Sequence, residues 1–295
     1  MKKLGLVTVL YKSDEVLKGF IKSLSIQTFS NYIVYFIDNS VNDCSTSYLL
    51  SLLNEYPTLE YKYLPQLGNI GVAAGNNVGI KATLMDHCDY ILLLNNDIET
   101  EQNYLLEKIV RKAEEGNADL LVPKILYYDS RRIWMAGGFM DNFRALGVHD
   151  GMDSEDSGMF NNEKFITYAP TCFMLISKKV LEKTGFMDEK YFAYYDDTDF
   201  VMRALQNGYL MLYIPSLVIL HKVSSSAGIN SDFYVYYSNR NKIYFIRKHY
   251  NGIRKLWLIL YCIISRLFFW LKFNKEKRQK LVQGIKDGFA LQVST

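Results

Sequence analysis

Short runs of mostly apolar residues alternate with amphipathic segments along the first part of the chain. The runs cover residues 4–10, 33–37, 59–64 and 90–94, of which the third contains Glu60 and Lys62, and each predicts a strand of the central sheet. An amphipathic segment after the first run predicts a helix with Ser13 as its N-cap. Because strands alternate with helices, the sequence predicts an α/β fold with a mainly parallel central sheet flanked by helices.

Polar clusters follow these strands, at the sheet edge where parallel α/β folds bind their ligands. Asp38 and Asn39 follow the second run and suit the edge of a pyrimidine base, although an Asx turn is the commoner use of such a pair. The third run precedes a glycine-bearing loop at residues 68–79. This loop is neither the dinucleotide fingerprint nor a P-loop. Its small residues either admit a ligand close to the backbone or serve helix packing.

The fourth run is followed by Asn95, Asn96 and Asp97. Such an oxygen-rich cluster suits a hard divalent cation that bridges Asp97 and a diphosphate, and a strand-ending turn is the alternative. His221 follows an apolar run at residues 209–220. An imidazole ligand shifts the preference from magnesium towards manganese, although a lone histidine is more often structural.

Three carboxylates, those of Asp196, Asp197 and Asp199, crowd the start of a helical pattern. A helix N-terminus stabilises such charges, so capping explains the cluster in part. Adjacent carboxylates also repel each other, and a partly buried one then holds its proton more tightly, which suits a general base. Capping and catalysis are compatible.

The C-terminal part of the chain differs from the rest in charge. Residues 240–280 contain twelve Lys or Arg and one acid, which leaves 22 basic and 30 acidic residues elsewhere, a net charge of −8. Residues 256–271 are apolar except for Ser265 and Arg266. As a helix this stretch is about 24 Å long, shorter than the roughly 30 Å of a bilayer core.

Lys255, Arg266 and Lys277 recur every eleven residues in this region, close to one stripe of a helix. We therefore predict an interfacial helix on an anionic membrane surface. Packing against the protein itself or a second subunit is the alternative. Nucleic-acid binding is not expected, because the residues between the charges are mostly aliphatic.

The cysteines are widely spaced and form no C-x-x-C pair, so they indicate neither a zinc site nor a disulfide framework. The N-terminus has a basic start, a short apolar run before Lys12 and no small-residue cleavage site, so it predicts a strand and not a signal peptide. With the basic apolar tail, this predicts a cytoplasmic protein peripherally associated with the inner face of the cell membrane.

Together and in this order, the clusters resemble those of the inverting glycosyltransferases of family 2, which have the GT-A fold, and especially their rhamnosyltransferase- and galactofuranosyltransferase-like branch. The resemblance covers residues 4–225 and rests on VTVLY, GNIGVAAGNNVGI, LLLNNDIE, APTCFMLISKKVLEKTGFMDEKYFAYYDDTDFVMRALQNGY and then His221. It implies a GT-A catalytic domain at residues 1–230 and a basic, apolar helical extension at residues 231–295.

The resemblance also implies roles for individual residues. Positions that match nucleotide and donor-sugar contacts are Thr8, Tyr11, Asp38, Asn39, Asn69, Gly71, Asn76, Asn95 and Asn96. Asp97 and His221 match the metal site, for Mn²⁺ or Mg²⁺. Asn95 replaces the first carboxylate of the family's Asp-x-Asp motif, which leaves more of the metal binding to Asp97. Positions that match the acceptor side are Trp134, Gly138, Thr171 and Cys172.

Asp196 and Asp197 match the family's Glu-Asp pair, whose second carboxylate is the catalytic base. This implies that Asp197 is the base, although the shorter Asp196 leaves open which of the two takes the proton.

The implied activity is transfer of a sugar, L-rhamnose from dTDP-rhamnose as the first choice, from a nucleoside diphosphate to a glycan or lipid-linked acceptor in cell-surface polysaccharide synthesis. A UDP-hexose or UDP-galactofuranose donor is the alternative, and a homodimer is possible. A sugar nucleotidyltransferase is disfavoured because no glycine-rich basic loop follows the first strand. A non-catalytic nucleotide-binding protein is disfavoured because Asp97, Asp197 and His221 occur together.

Overall fold

The computed structural model of the protein describes residues 2–40, 43–116, 118–223 and 231–293. The strands are β1 (Leu4–Leu10), β2 (Tyr32–Asp38), β3 (Tyr61–Pro65), β4 (Tyr90–Leu94), β5 (Ile98–Glu99), β6 (Leu120–Tyr127), β7 (Ile133–Met135), β8 (Gly138–Asp141), β9 (Leu146–His149), β10 (Lys164–Ile166), β11 (Phe173–Ser177) and β12 (Met211–His221). The helices are α1 (Asp14–Ser25), α2 (Asp43–Asn54), α3 (Val72–Met85), α4 (Leu105–Glu114), α5 (Lys178–Thr184), α6 (Asp196–Gln206), α7 (Asp232–His249), α8 (Gly252–Lys272) and α9 (Lys275–Ala290). The predicted α/β fold is confirmed.

The main sheet joins two parallel groups of strands through one antiparallel strand. Its order in the described residues is β10-β12-β6-β11-β4-β1-β2-β3, with β5 paired to β12 and β7 to β6. The strands β4, β1, β2 and β3 are parallel, as are β6 and β12. Between these groups, β11 runs antiparallel to β4 and β6. The sheet is therefore mixed at its centre.

The helices that follow β1 and β3 bury one face each against the sheet. On α1, the buried apolar residues Leu17, Phe20, Ile21 and Leu24 recur at helical spacing. On α3, a Cβ added at Gly79 would lie 2.3 Å from Val7 Cγ1, so the glycine allows the helix to approach the strand closely. The carboxyl ends of β1, β2 and β4 consequently form one shared edge.

The helix α7 packs into the same core as the sheet, although it follows the predicted boundary near residue 230. Ile243, Tyr244, Phe245 and Ile246 are fully buried in the main hydrophobic cluster. α9 crosses α7 at short range, because a Cβ added at Gly284 would lie 2.5 Å from the carbonyl oxygen of Tyr236. The first helix of the extension thus shares one hydrophobic core with the sheet.

The apolar stretch at residues 256–271 lies within α8, which ends at Lys272. Asn274 then caps α9, and its side chain accepts a hydrogen bond from the amide of Lys277. Lys255, Arg266 and Lys277 therefore do not share one helical stripe, and this part of the prediction is wrong. In the described part of the chain, no helix combines the length and apolarity that a membrane span requires.

Candidate active site

Asp97 and His221, which the sequence assigns to a metal site, are neighbours in the structure. β5 follows Asp97 directly and pairs with the end of β12, so Ile98 lies opposite His221. The main chain is fixed as well, because the amide of Lys222 donates to the carbonyl oxygen of Asp97 at 2.9 Å. As a result, His221 Nε2 lies 3.1 Å from Asp97 Oδ1.

The surroundings of His221 fit a metal ligand. The side chain is buried, and apart from the 3.1 Å approach of Nε2 to Asp97, neither ring nitrogen forms a hydrogen bond in the described residues. Leaving a buried imidazole without such partners costs free energy, whereas an imidazole and a carboxylate are a donor set that divalent manganese accepts. The described residues contain no group of three or more His, Cys, Asp or Glu side chains suited to a metal ion. Any cation here would need additional ligands.

Asn95 and Asn96 have different environments. Asn95 is exposed, whereas the amide of Asn96 donates to the carbonyl oxygen of Val9 at 3.0 Å and to Ser13 Oγ at 2.8 Å. Ser13 occupies the N-cap position of α1, but its side chain makes no capping hydrogen bond there. Its hydroxyl instead accepts from Tyr11 N. Ser13 therefore does not cap the helix as predicted, and its hydroxyl connects the loops that follow β1 and β4.

Asp38 forms the Asx turn that its sequence context predicts. Its carboxylate accepts from Ser40 N at 2.8 Å and from the Tyr63 hydroxyl at 2.8 Å. Beside it, the buried amide of Asn39 donates to the carbonyl oxygen of Gly71 at 3.1 Å. Asn39 Oδ1 has no hydrogen-bond partner in the described residues, so an acceptor atom remains available at this edge of the sheet.

The structure brings Asn69 and Gly71 to this place. Asn69 Oδ1 accepts from Gly71 N at 3.0 Å and from the Asn39 amide at 3.4 Å. Gly71 has φ +88°, and a Cβ there would lie 2.6 Å from Phe192 O, so only glycine fits. Asn76, by contrast, turns its amide to Met187 Sδ at 3.5 Å.

Thr8 lies on β1, and Tyr11 directly follows the carboxyl end of this strand. The hydroxyl of Thr8 is buried on β1 and has no hydrogen-bond partner in the described residues. Tyr11 follows β1 and is 45% exposed. A nucleotide base could therefore form a hydrogen bond with the buried hydroxyl of Thr8 and stack on the exposed ring of Tyr11.

Asp196 and Asp197 begin α6 directly after a strained turn. Tyr194 and Tyr195 have φ of 64° and 67°, a left-handed conformation that costs a non-glycine residue about 1–3 kcal/mol. Asn241 of α7 holds this turn, since its fully buried amide donates to Ala193 O at 2.7 Å and to Tyr194 O at 2.8 Å. Strain of this kind is often found at functional sites.

The two carboxylates have different environments. Asp197 is half-buried and accepts hydrogen bonds from the Tyr168 hydroxyl at 2.9 Å and from the amide and hydroxyl of Thr198 at 2.6 and 3.0 Å. Asp196 is buried, and this burial together with the charge of Asp197 raises the pKa of Asp196 to about 8. At neutral pH the Asp196 side chain is therefore mostly protonated.

A continuous series of contacts connects Asp197 to the Asp97–His221 pair. The Tyr168 ring stacks on His149 at 5.8 Å, His149 meets Trp134 edge-on at 4.5 Å, and Trp134 meets His221 at 4.7 Å. Burial lowers the pKa of His149, which favours the neutral ring. The sequence predicted Trp134 but neither His149 nor Tyr168.

The other residues predicted on the acceptor side lie beside this series. Thr171 and Cys172 are buried just before β11, and burial together with the charges of Asp97 and Asp197 raises the pKa of Cys172. Cys172 therefore lies near both carboxylates. Gly138 starts β8, where a Cβ would lie 2.3 Å from Val148 O, so its place is set by backbone packing.

Asp199 has a separate, structural environment. It is fully buried, and its carboxylate contacts Arg203 at 2.8 Å, Lys248 at 2.8 Å and His249 at 2.7 Å. These partners hold the pKa of Asp199 well below its usual range despite burial. Two of the three come from α7, so this cluster joins α6 to the C-terminal helices.

The family profile of Glycosyl transferase family 2 matches residues 6–185. The chain belongs to glycosyltransferase family 2. The glycosyltransferase is 27% identical over 205 residues to a low-salt glycan biosynthesis hexosyltransferase, Agl10, of Haloferax volcanii, a match that covers 68% of this chain and 61% of that protein. It is 25% identical to the dTDP-rhamnosyl transferase RfbF of Shigella flexneri, over 75% of this chain and 72% of that one.

A third relative matches over most of its length. The N-acetylglucosaminyl-diphospho-decaprenol L-rhamnosyltransferase of Mycobacterium tuberculosis is 21% identical to the glycosyltransferase, and the match covers 95% of this chain and 98% of that protein. Among solved structures, S. aureus TarS in complex with UDP superposes with a TM-score of 0.63 at 16% identity, covering 97% of this chain and 80% of that chain. The expected GT-A fold is confirmed.

Proposed function

We propose that this glycosyltransferase transfers a sugar from a nucleoside diphosphate to an acceptor hydroxyl with inversion at the anomeric carbon. The observation that supports it is the series of contacts joining Asp197 to the Asp97–His221 pair. A general-base candidate on α6 and a candidate metal-ligand pair at the ends of β4 and β12 are thus linked through contacting side chains, which supports a shared reaction site.

The nucleotide would bind between the ends of β1, β2 and β4. Thr8 and Asn39 each have a buried polar atom without a hydrogen-bond partner in the described residues, and both suit a base or a ribose. The exposed ring of Tyr11 provides a stacking surface. Gly71, at the N-cap of α3, lies beside Asn39, because its carbonyl oxygen accepts a hydrogen bond from the Asn39 amide.

Asp197 acts as the general base in this proposal, because it is the more accessible of the two acidic side chains and its orientation is fixed by three hydrogen bonds. It takes the proton of the acceptor hydroxyl while that oxygen bonds to the anomeric carbon and the bond to the diphosphate breaks. A single displacement inverts the centre. The neutral, buried Asp196 avoids a second negative charge beside the base.

Asp97 and His221 would hold a divalent cation, Mn²⁺ or Mg²⁺. When bound, such a cation neutralises the charge that develops on the leaving diphosphate. Structures of relatives support this choice, since a mannosyltransferase from Pyrobaculum calidifontis was solved with GDP-Man and Mn²⁺, with a TM-score of 0.58 to this chain at 10% identity. Asn95 is exposed and neutral, so Asp97 carries the charge of the pair.

The proposed donor is dTDP-rhamnose and the proposed acceptor is a lipid-linked glycan of cell-surface polysaccharide synthesis. The names of the Shigella and mycobacterial relatives, both rhamnosyltransferases, support this choice. A UDP-hexose donor is the second candidate, favoured by the similarity of the fold to TarS, which was solved with UDP-GlcNAc.

The outer face of α8 would rest on the cytoplasmic surface of the membrane. It exposes about half or more of each of nine large apolar side chains, Ile253, Leu256, Trp257, Leu260, Ile264, Leu267, Phe268, Phe269 and Leu271. A patch of this kind marks a site of membrane or protein contact, and the basic residues around it favour anionic lipid.

A donor panel scored for nucleoside diphosphate release, with and without manganese, tests sugar, base and metal together. Asp197→Asn should abolish transfer and keep nucleotide binding, because the amide preserves shape but takes no proton. Near-normal turnover in this variant would remove Asp197 from the role of base.

Asp97→Ala tests the metal pair. We expect manganese-dependent donor binding to weaken at least tenfold, whereas Asp89→Ala, which removes a surface carboxylate paired with Lys2, should bind donor normally. Equal donor affinity of wild type and Asp97→Ala at low manganese would exclude the metal role.

A further inference from the structure

A buried lysine without a carboxylate partner lies between α7 and α8. Lys242 is 3% exposed. No ion pair joins it to a carboxylate in the described residues, and its ammonium lies 5.9 Å from the centroid of the Tyr261 ring. A buried ammonium normally has a counter-ion, because removing it from water is costly. Burial and the nearby charge of Arg266 lower the pKa of Lys242 to about 8.

A second cation faces the same place from α8. Arg266 follows Leu258 and Cys262 at intervals of four residues, so it lies on the buried stripe of α8 that faces α7. Its Nε donates to Asn239 Oδ1 at 2.6 Å and its Nη1 to Ser265 Oγ at 3.4 Å. Arg266 has no carboxylate partner in the described part of the chain, and its Nη2 donates to none of these residues.

A carboxylate near Lys242, that of Asp141, already has hydrogen-bond partners. Asp141, at the end of β8, accepts from Arg144 Nε at 2.6 Å and from the amides of Phe143 and Arg144. Its contribution to Lys242 is smaller than the repulsion that Arg266 and Arg144 exert on it. Arg144 is thus paired with Asp141, whereas Lys242 and Arg266 have no carboxylate partner among the described residues.

This cluster lies close to the proposed catalytic base. The ring of Tyr195, the residue before Asp196, packs on Phe245 of α7 with ring centroids 5.5 Å apart, and its hydroxyl donates to Ala145 O at 3.3 Å in the β8–β9 hairpin. Tyr195 thus connects the turn before the two carboxylates to α7, the helix that carries Lys242. On the other side of Arg266, α8 exposes its apolar face.

We propose that Lys242 and Arg266 form an anion-binding site for the diphosphate of an isoprenoid-linked acceptor, between the catalytic carboxylates and the apolar face of α8. This rests on the proposed function, which assigns the protein a lipid-linked acceptor. An ammonium and a guanidinium with open N–H groups suit phosphate oxygens. The anion would neutralise the buried charges, and the isoprenoid chain would leave along the apolar surface of α8.

Farnesyl diphosphate is a soluble probe of this site, and farnesol is its uncharged counterpart. Calorimetric titration is performed on the full chain in EDTA, so that no metal-assisted binding at the donor site contributes. We expect the wild type to bind farnesyl diphosphate and not farnesol. Lys242→Met and Arg266→Gln should each weaken this binding about tenfold or more, as expected for loss of a charged hydrogen bond.

Control variants separate this site from others. Lys272→Gln and Lys280→Gln remove a positive charge from exposed positions on α8 and α9 and should bind farnesyl diphosphate like the wild type. Asp97→Ala should also bind it normally, even if it loses donor binding, so failure of the proposed function does not remove the test. Thermal unfolding adds a second readout. Lys242→Met should not lower the unfolding temperature, because it removes repulsion between like charges, whereas loss of a lysine with a purely structural role would lower it.

Equal affinity of Lys242→Met, Arg266→Gln and wild type for farnesyl diphosphate would overturn the proposal. It would also be overturned if both variants kept that affinity but lost binding to vesicles of phosphatidylcholine with phosphatidylglycerol, because the cations would then serve membrane lipid. Equal binding of farnesol and farnesyl diphosphate by the wild type would show that no diphosphate is recognised.

Discussion

Replacing Asn241 by leucine should impair catalysis from a distance. The substitution keeps the size of the side chain but removes the amide that donates to Ala193 O and Tyr194 O, at 2.7 and 2.8 Å. These bonds hold two successive left-handed tyrosines, whose strain is on the order of 2–4 kcal/mol in total. Without the amide, two buried carbonyl groups lose a partner, at about 1–3 kcal/mol each.

We therefore expect Asn241→Leu to lower the free energy of unfolding by about 2–6 kcal/mol and to lower kcat by about 100-fold, because Asp197 follows the released turn and a displacement of about 1 Å has an effect of this size. Chemical denaturation gives the first quantity. Initial rates of transfer, measured at a temperature where the variant is folded, give the second.

Asn207→Leu is the matched control. Its amide also donates to a backbone carbonyl, that of Arg203 at 2.9 Å, but at the exposed end of α6. We expect a change of at most about 1 kcal/mol and normal kcat. If Asn241→Leu were no less stable than Asn207→Leu, or turned over at the wild-type rate, Asn241 would not be what holds the turn before the base.

Three further outcomes follow from the site. Tyr168→Phe removes one of the donors that orient Asp197, so kcat should fall by about 10-fold or more with nucleotide affinity unchanged; an unchanged kcat would exclude a positioning role. Gly71→Ala, at φ +88° and 2.6 Å from Phe192 O, should destabilise the protein by about 2 kcal/mol or more and weaken nucleotide binding, as calorimetry and denaturation can show. Because the folded-state pKa of Asp196 is raised to about 8, from about 4 when unfolded, stability from this group is lost as pH rises between these values. Asp196→Asn should therefore gain in unfolding temperature over wild type at pH 8.5 and not at pH 4; an equal gain at both would contradict the assignment.

The central strands could be predicted from the sequence because they are continuous apolar runs. Residues 4–10 and 90–94 form strands with the predicted bounds. The third strand begins at Tyr61 and not at Leu59, although Leu59 is buried. An apolar residue indicates that a position is buried, but it does not show that its backbone pairs with a neighbouring strand. The antiparallel position of β11 between β4 and β6 depends on contacts between residues far apart in the sequence. The local pattern of apolar and polar residues carries no information on such contacts.

The polar clusters of the site could also be predicted, because they follow strands whose carboxyl ends share an edge. Tyr168 could not, since it lies 29 residues from Asp197 and no local pattern connects them. The prediction that Lys255, Arg266 and Lys277 share one helical stripe was wrong because a new helix starts after Asn274. An Asn at that position is a helix-start signal, so the break was visible in the sequence.

The insertion of α7 into the core affects how this enzyme can be divided. A chain that ended near residue 230 would remove the side chains Ile243, Tyr244, Phe245 and Ile246 from the core. It would also leave the buried carboxylate of Asp199 without Lys248 and His249, and the loss of buried charge partners is strongly destabilising. Separate expression of the two halves should therefore give an N-terminal fragment that aggregates.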